Sequence, residues 1–110
     1  MKKTIITPPG FAAARGTYSP GILVETGDTR VLYATGQLAV DPTGTVIAPG
    51  DATAQTEYIF KLLGEILTAA GMTYDDVVRA QTYLTNIDDF PKFSAVRNRY
   101  FATSLAASTL

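Results

Sequence analysis

The residues that could do chemistry in this chain are few and of few types. It contains no cysteine and no histidine, so thiolate and imidazole nucleophiles, Ser-His-Asp constellations and cysteine or histidine zinc sites are excluded by inventory. Carboxylates, tyrosines, arginines, hydroxyls and backbone amides remain. Asp75-Asp76 and Asp88-Asp89 are paired acids of the kind that can hold a divalent cation, but each pair sits where a helix or turn begins, the place for capping residues. No metal is expected. Tyr18 lies on an arm between glycine and proline rather than on an apolar face; taken alone it reads as a partly buried tyrosine with a satisfied hydroxyl. Gly36 follows a strand, yet neither a glycine-rich fingerprint nor a lysine comes after it, so a phosphate loop is not supported and a strand bend is the simpler reading. Arg97 and Arg99 are a close basic pair, read as solvated surface or an intersubunit salt bridge. Phe90, Phe93, Tyr100 and Phe101 fall at helical spacing and read as core rather than as a stacking platform for bases.

The elements that must position these groups follow from patterning. Thr4-Ile5-Ile6 is a short β-branched strand stopped by Pro8-Pro9-Gly10, with an irregular arm through residue 16 and on to Pro20. Ile22–Thr26 and Val31–Thr35 flank Gly27-Asp28 and form a hairpin. Leu38-Ala39-Val40 resumes the second strand after Gly36-Gln37, and Asp41-Pro42-Thr43-Gly44 is a turn. Asp51 stands at an N-cap. Ile59, Leu62, Leu63, Ile66, Leu67 and Ala70 then recur at helical spacing toward Gly71, a C′ glycine, leaving Gln55, Lys61, Glu65 and Thr68 on the wet face. A strand over 77–84 and a second helix carrying the aromatic stripe complete the order β-β-β-α-β-α. Residues 104–110 read as the approach to a further strand, whose absence would leave an exposed edge unless another subunit covers it.

Length and composition bound the rest. With 110 residues, 46% of them hydrophobic, the chain is one domain, 1–110, able to bury its own core. A formal net charge of −1 and a pI near 5.2 offer no field for nucleic acid or an anionic membrane. The N-terminus does not form a signal peptide, and 59–70 is too short and too polar to span a bilayer. A cytoplasmic protein is expected.

Several segments taken in order resemble the RidA/YjgF family: Gly16-Thr17-Tyr18-Ser19, Tyr33 to Pro42, Ala69-Ala70-Gly71, and Asp75 through Leu84 to Asp89-Phe90. The resemblance spans about residues 15–110. It implies an α+β, chorismate-mutase-like fold, an antiparallel-rich mixed sheet with two helices on one face, assembled as a trimeric barrel that lacks its C-terminal strands within these residues. It also implies intersubunit clefts in which small imines or enamines are hydrolysed to a ketoacid and ammonia with no cofactor. By the same resemblance Tyr18 matches the cleft tyrosine. Gly36 matches the glycine whose backbone N–H holds the substrate carboxylate, and Ser94 stands where the family has an asparagine. The carboxylate-gripping arginine falls on Ser108 or, shifted by one, on Ala107. A bidentate guanidinium contact contributes on the order of 1.5 to 3 kcal/mol, so its loss at this position points to an uncharged or differently shaped ligand. The competing expectation is a non-catalytic, small-molecule-binding or regulatory trimer. RNA cleavage, an activity also attached to the family, ranks last on charge grounds.

Overall fold

A computed structural model describes residues 1–11 and 16–110; the part of the expected arm at 12–15 lies outside the described residues. Strands β1 (Lys2–Ile6), β2 (Gly21–Thr26) and β3 (Thr29–Ala34) form an antiparallel sheet in that order. The hairpin turn is Gly27-Asp28, with Gly27 at φ 59°, the left-handed value that two-residue hairpins require. Helix α1 (Ala52–Ala69) follows. Asp51 accepts a 3.0 Å bond from the Ala54 amide at its start. At its end Gly71 takes φ 73° while Gly71 N–H and Met72 N–H donate to the Thr68 and Leu67 carbonyls, a Schellman closure.

A three-residue strand β4 (Arg79–Gln81), helix α2 (Phe90–Tyr100) and strand β5 (Ala107–Thr109) complete the chain, β5 pairing parallel to β4. The antiparallel sheet and two helices agree with expectation, but the protomer carries two ladders rather than one continuous sheet. Two strands also differ from their reading. Leu38–Val40 does not resume β3; instead Val40 bridges to Val46 across a loop closed by Asp41, whose Oδ1 accepts from Thr43 N, Thr43 Oγ1 and Thr45 N at 2.9, 2.6 and 3.0 Å. The Thr43 hydroxyl first, then these amides, hold the Asp41 carboxyl below its ordinary pKa. The 77–84 strand contracts to its centre because only Arg79–Gln81 has a partner strand.

The core has two parts. Ile6, Leu23, Ile66 and Ala70 pack with Leu32 and Leu63 between the three-stranded sheet and α1, while Phe60, Phe93, Val96 and Phe101 join α1 to α2 and β4. Of the expected α1 stripe, Ile66 and Ala70 are buried and Leu63 packs against them, while Ile59 and Leu62 are only half-buried; Thr56 and Phe60 join the buried face beyond what the spacing indicated. The aromatic stripe of α2 is core, Phe60 stacking on Tyr100 at 4.7 Å and meeting Phe101 edge-on at 5.3 Å. Both acidic pairs stand at short helical turns: Asp76 accepts from the Thr73 amide in a capping box, and the Asp88 amide donates to Asn86. Among the described residues, no helix is long and apolar enough to cross a membrane.

Tyr74 ties this core together by donating its hydroxyl to the Phe60 carbonyl at 2.5 Å. Burial, with the neighbouring Tyr100 adding to it, pushes the phenol from 10.0 up to about 12. The fold holds the neutral form, so this contribution is complete below pH 10 and is lost as pH rises toward 12. Because the ring is partly solvated, the expected fall in stability over that interval is about 1 kcal/mol rather than the full linkage value. Urea midpoints measured on either side of the ordinary tyrosine pKa should show it, and Tyr74→Phe should remove most of the difference.

Candidate functional site

Tyr18 and Gly36 are far apart in sequence and are brought together by Thr35. Its amide donates to the Pro20 carbonyl at 2.9 Å and its hydroxyl to the Ser19 carbonyl at 2.7 Å, so the arm carrying Tyr18 is stitched to the end of β3 just before Gly36. Both residues line one open groove of about 640 Å³ between the 36–44 loop and α1. Tyr18 is 55% exposed, and its ring rests against Gly16, where a Cβ would lie 3.4 Å from it. A Cβ on Gly36 would meet nothing within 4 Å among the described residues, so the position is open on the groove side. Tyr58, Lys61 and Glu65 of α1 also line the groove; helical patterning places Lys61 and Glu65 only on a wet face.

Ser94 and Ser108 form a second group. Ser94 sits on α2 and Ser108 on β5, and Arg97 joins them, its Nη2 donating to Ser94 Oγ at 3.0 Å and its Nη1 to Ser108 Oγ at 3.3 Å. The guanidinium lies 5.8 and 5.5 Å from the ring centroids of Phe90 and Phe93. The reading of Arg97 as solvated surface is thus corrected: it is half-buried and internally bonded. Arg99, its companion, pairs with Glu57 of the same chain. Ala107, the alternative position for the expected arginine, is the register partner of Arg79, one residue away from the Ser108–Ala80 pair, and therefore on the opposite face of the ladder. Arg97, Ser94 and Ser108 do not line the Tyr18 groove. The chain holds the four candidate residues as two separate pairs.

Sequence patterning misses Arg97 because an i, i+3 spacing to Ser94 is a weak signal on any helix. Its link to Ser108 depends on a strand eleven residues later.

The outer face of the three-stranded sheet bears on how such pairs could meet. Ile5, Ile22 and Tyr33 are cross-strand neighbours on the side opposite Leu23 and Leu32. Ile5 is 68% and Tyr33 65% exposed.

The chain is similar to known proteins along nearly its whole length. The family model described as endoribonuclease L-PSP matches residues 10–109. A 2-iminobutanoate/2-iminopropanoate deaminase from Capra hircus is 35% identical over 107 residues, 97% of this chain and 75% of that protein. Among solved structures, RidA from an Antarctic Psychrobacter superposes with a TM-score of 0.79 at 32% identity, covering 96% of this chain and 82% of that one. The structure of E. coli TdcF with bound serine superposes with a TM-score of 0.78 at 25% identity and the same coverage. With the fold, the motif order and these matches in agreement, the chain belongs to the RidA/YjgF family, whose model carries the name endoribonuclease L-PSP.

Proposed function

We propose that this protein is a cofactor-independent hydrolase of small imine or enamine metabolites, acting as a homotrimer with its sites in the clefts between subunits. The observation that carries the reading is the 35% identity to 2-iminobutanoate/2-iminopropanoate deaminase across nearly the whole chain, with Tyr18 and Gly36 facing one groove. The two separated pairs of site residues support an intersubunit cleft, since a trimer would bring the Tyr18 groove of one protomer against the Arg97 group of the next. The uncovered Ile5, Ile22 and Tyr33 face would line the barrel interior.

The reaction needs little from the protein. Water adds its oxygen to the imine carbon and one proton to nitrogen. The resulting carbinolamine then returns its hydroxyl proton to nitrogen, the C–N bond breaks, and ammonia leaves a carbonyl behind. Holding the substrate beside an oriented water and a proton donor supplies most of the acceleration such a step requires. Tyr18 is the groove donor that the resemblance singles out. The Gly36 amide, free of any side chain, can approach a substrate oxygen closely. Neither task calls on a thiol, an imidazole or a metal. RNA is disfavoured as a substrate by the net charge of −1, since phosphate binding draws on basic residues.

Ammonia release from 2-iminopropanoate or 2-iminobutanoate generated in situ tests the reading. A rate well above buffer is expected, together with a loss of about tenfold or more in Tyr18→Phe. A rate equal to buffer removes this substrate class. Stabilisation by small carboxylates without turnover would instead identify the non-catalytic binding trimer.

A further inference from the structure

We propose that Arg97 of α2 supplies the carboxylate-binding guanidinium of this protein, replacing from the helix the arginine that position 107 or 108 lacks. The inference rests on the imine-hydrolase reading for its substrate class, but its geometry stands separately. Among the described residues, no carboxylate pairs with Arg97. Its acceptors are all neutral: Ser94 Oγ, Ser108 Oγ and Asn98 Oδ1, the last at 3.2 Å from Nε and 3.1 Å from Nη2. The positive charge is therefore held but not neutralised. Phe90 and Phe93 back it, and a guanidinium set over aromatic faces is pre-organised to present its edge rather than sweep through solvent.

The donor inventory fits an anion. A guanidinium has five N–H groups. The Nε hydrogen, both Nη2 hydrogens and one Nη1 hydrogen are engaged, which leaves one on Nη1, beside Ser108. Both serine hydroxyls accept from Arg97, so the proton of each is free to donate outward. One guanidinium hydrogen and two hydroxyls form a three-donor cradle for a carboxylate, with no existing bond broken. An arginine at residue 108 would put a second cation against Arg97, so the serine is the form that accommodates the helix arginine. Ser94 fits in the same way, because its short side chain meets the guanidinium from its own helix. The consequence for specificity is that this protein keeps the 2-iminoacid class rather than shifting to uncharged ligands.

Isothermal titration of the assembled protein with 2-oxobutanoate, the ketoacid product, tests the assignment. The dissociation constant should rise about tenfold or more in Arg97→Gln and by less in Arg97→Lys, which keeps the charge without the fork. It should be unchanged in Arg99→Gln, which loses an equal charge from the same helix. Where turnover is measurable, KM for the imine should rise in Arg97→Gln with kcat largely retained. Arg97→Lys carries the test if Arg97→Gln fails to fold. Equal affinity in the wild type and the Arg97 variants overturns the proposal, as does a wild type that hydrolyses imines yet takes up no ketoacid. A wild type that binds 2-oxobutanoate through Arg97 but releases no ammonia removes the hydrolase reading and leaves the Arg97 site standing.

Discussion

Gly64→Ala destabilises the protein by about 2 to 3 kcal/mol, opposite in sign to the gain of about 1 kcal/mol that helix propensity assigns to the change. Gly64 lies inside α1, where a glycine ordinarily weakens the helix. Here a Cβ would run into the Tyr74 hydroxyl and lie 3.0 Å from its Cζ. That hydroxyl cannot easily retreat, because it donates to the Phe60 carbonyl and its ring is wedged near Tyr100 at 4.9 Å. Alanine must displace the phenol, losing a buried hydrogen bond of about 1 to 1.5 kcal/mol and pushing apart the aromatic cluster that seats α2. Chemical denaturation reads the loss directly. The double variant Gly64→Ala/Tyr74→Phe should recover part of it, since the added methyl then meets no oxygen; full additivity of the two changes would contradict the argument.

Gly64 also shows where sequence reading runs out. In the pattern of 59–70 it is an interruption of an apolar stretch, and its reason lies ten residues away in a tyrosine that the helix cannot announce. The same limit explains why Phe60 adds to the buried face of α1: it is buried because α2 arrives there, while Ile59 and Leu62 remain half-buried. What local chemistry decides is legible. Gly27-Asp28, Asp51 and Gly71 fix a turn, a cap and a helix end with no outside help, and each stands where its residue type predicts. The failed continuation of β3 at Leu38–Val40 is a tertiary matter, since among the described residues no strand lies alongside to receive it and the loop closes on Asp41 instead.

The candidate site is legible in a different way. Tyr18 and Gly36 emerge from the motif resemblance, and Thr35 explains how they share a groove, but nothing in periodicity links Ser94 to Ser108. Arg97 links them, and helical patterning leaves it on the surface because a guanidinium's partners cannot be read from its own helix. A substitution that looks like the loss of a clamp from one strand therefore coexists with a guanidinium offered by the facing helix. The substrate class follows from where the charge sits in space, not from which position carries the arginine.

On the proposed trimer and imine-hydrolase reading, Tyr33→Glu is expected to leave the chain folded, to convert the trimer to monomers at micromolar concentration and to lower imine hydrolysis by about a hundredfold or more. Tyr33 lies on the outer face of β3, 65% exposed, with Ile22 as its cross-strand neighbour. A carboxylate there faces water in an isolated chain and costs little beyond the strand preference, at most about 1 kcal/mol. In a threefold barrel the same substitution brings three carboxylates into an apolar interior, each desolvated at several kcal/mol and each repelling the other two. Symmetry multiplies a modest change into one that exceeds what an interface of ordinary size can offset. Light scattering reports the assembly, circular dichroism the fold, and ammonia release the activity. If the site is built between subunits, activity must fall in step with the trimer, because one protomer holds the Tyr18 groove and the Arg97 group as separate pairs. A monomer with full activity would show that each chain carries a complete site, and a trimer that survives the Tyr33→Glu substitution would show that the barrel does not close on this face.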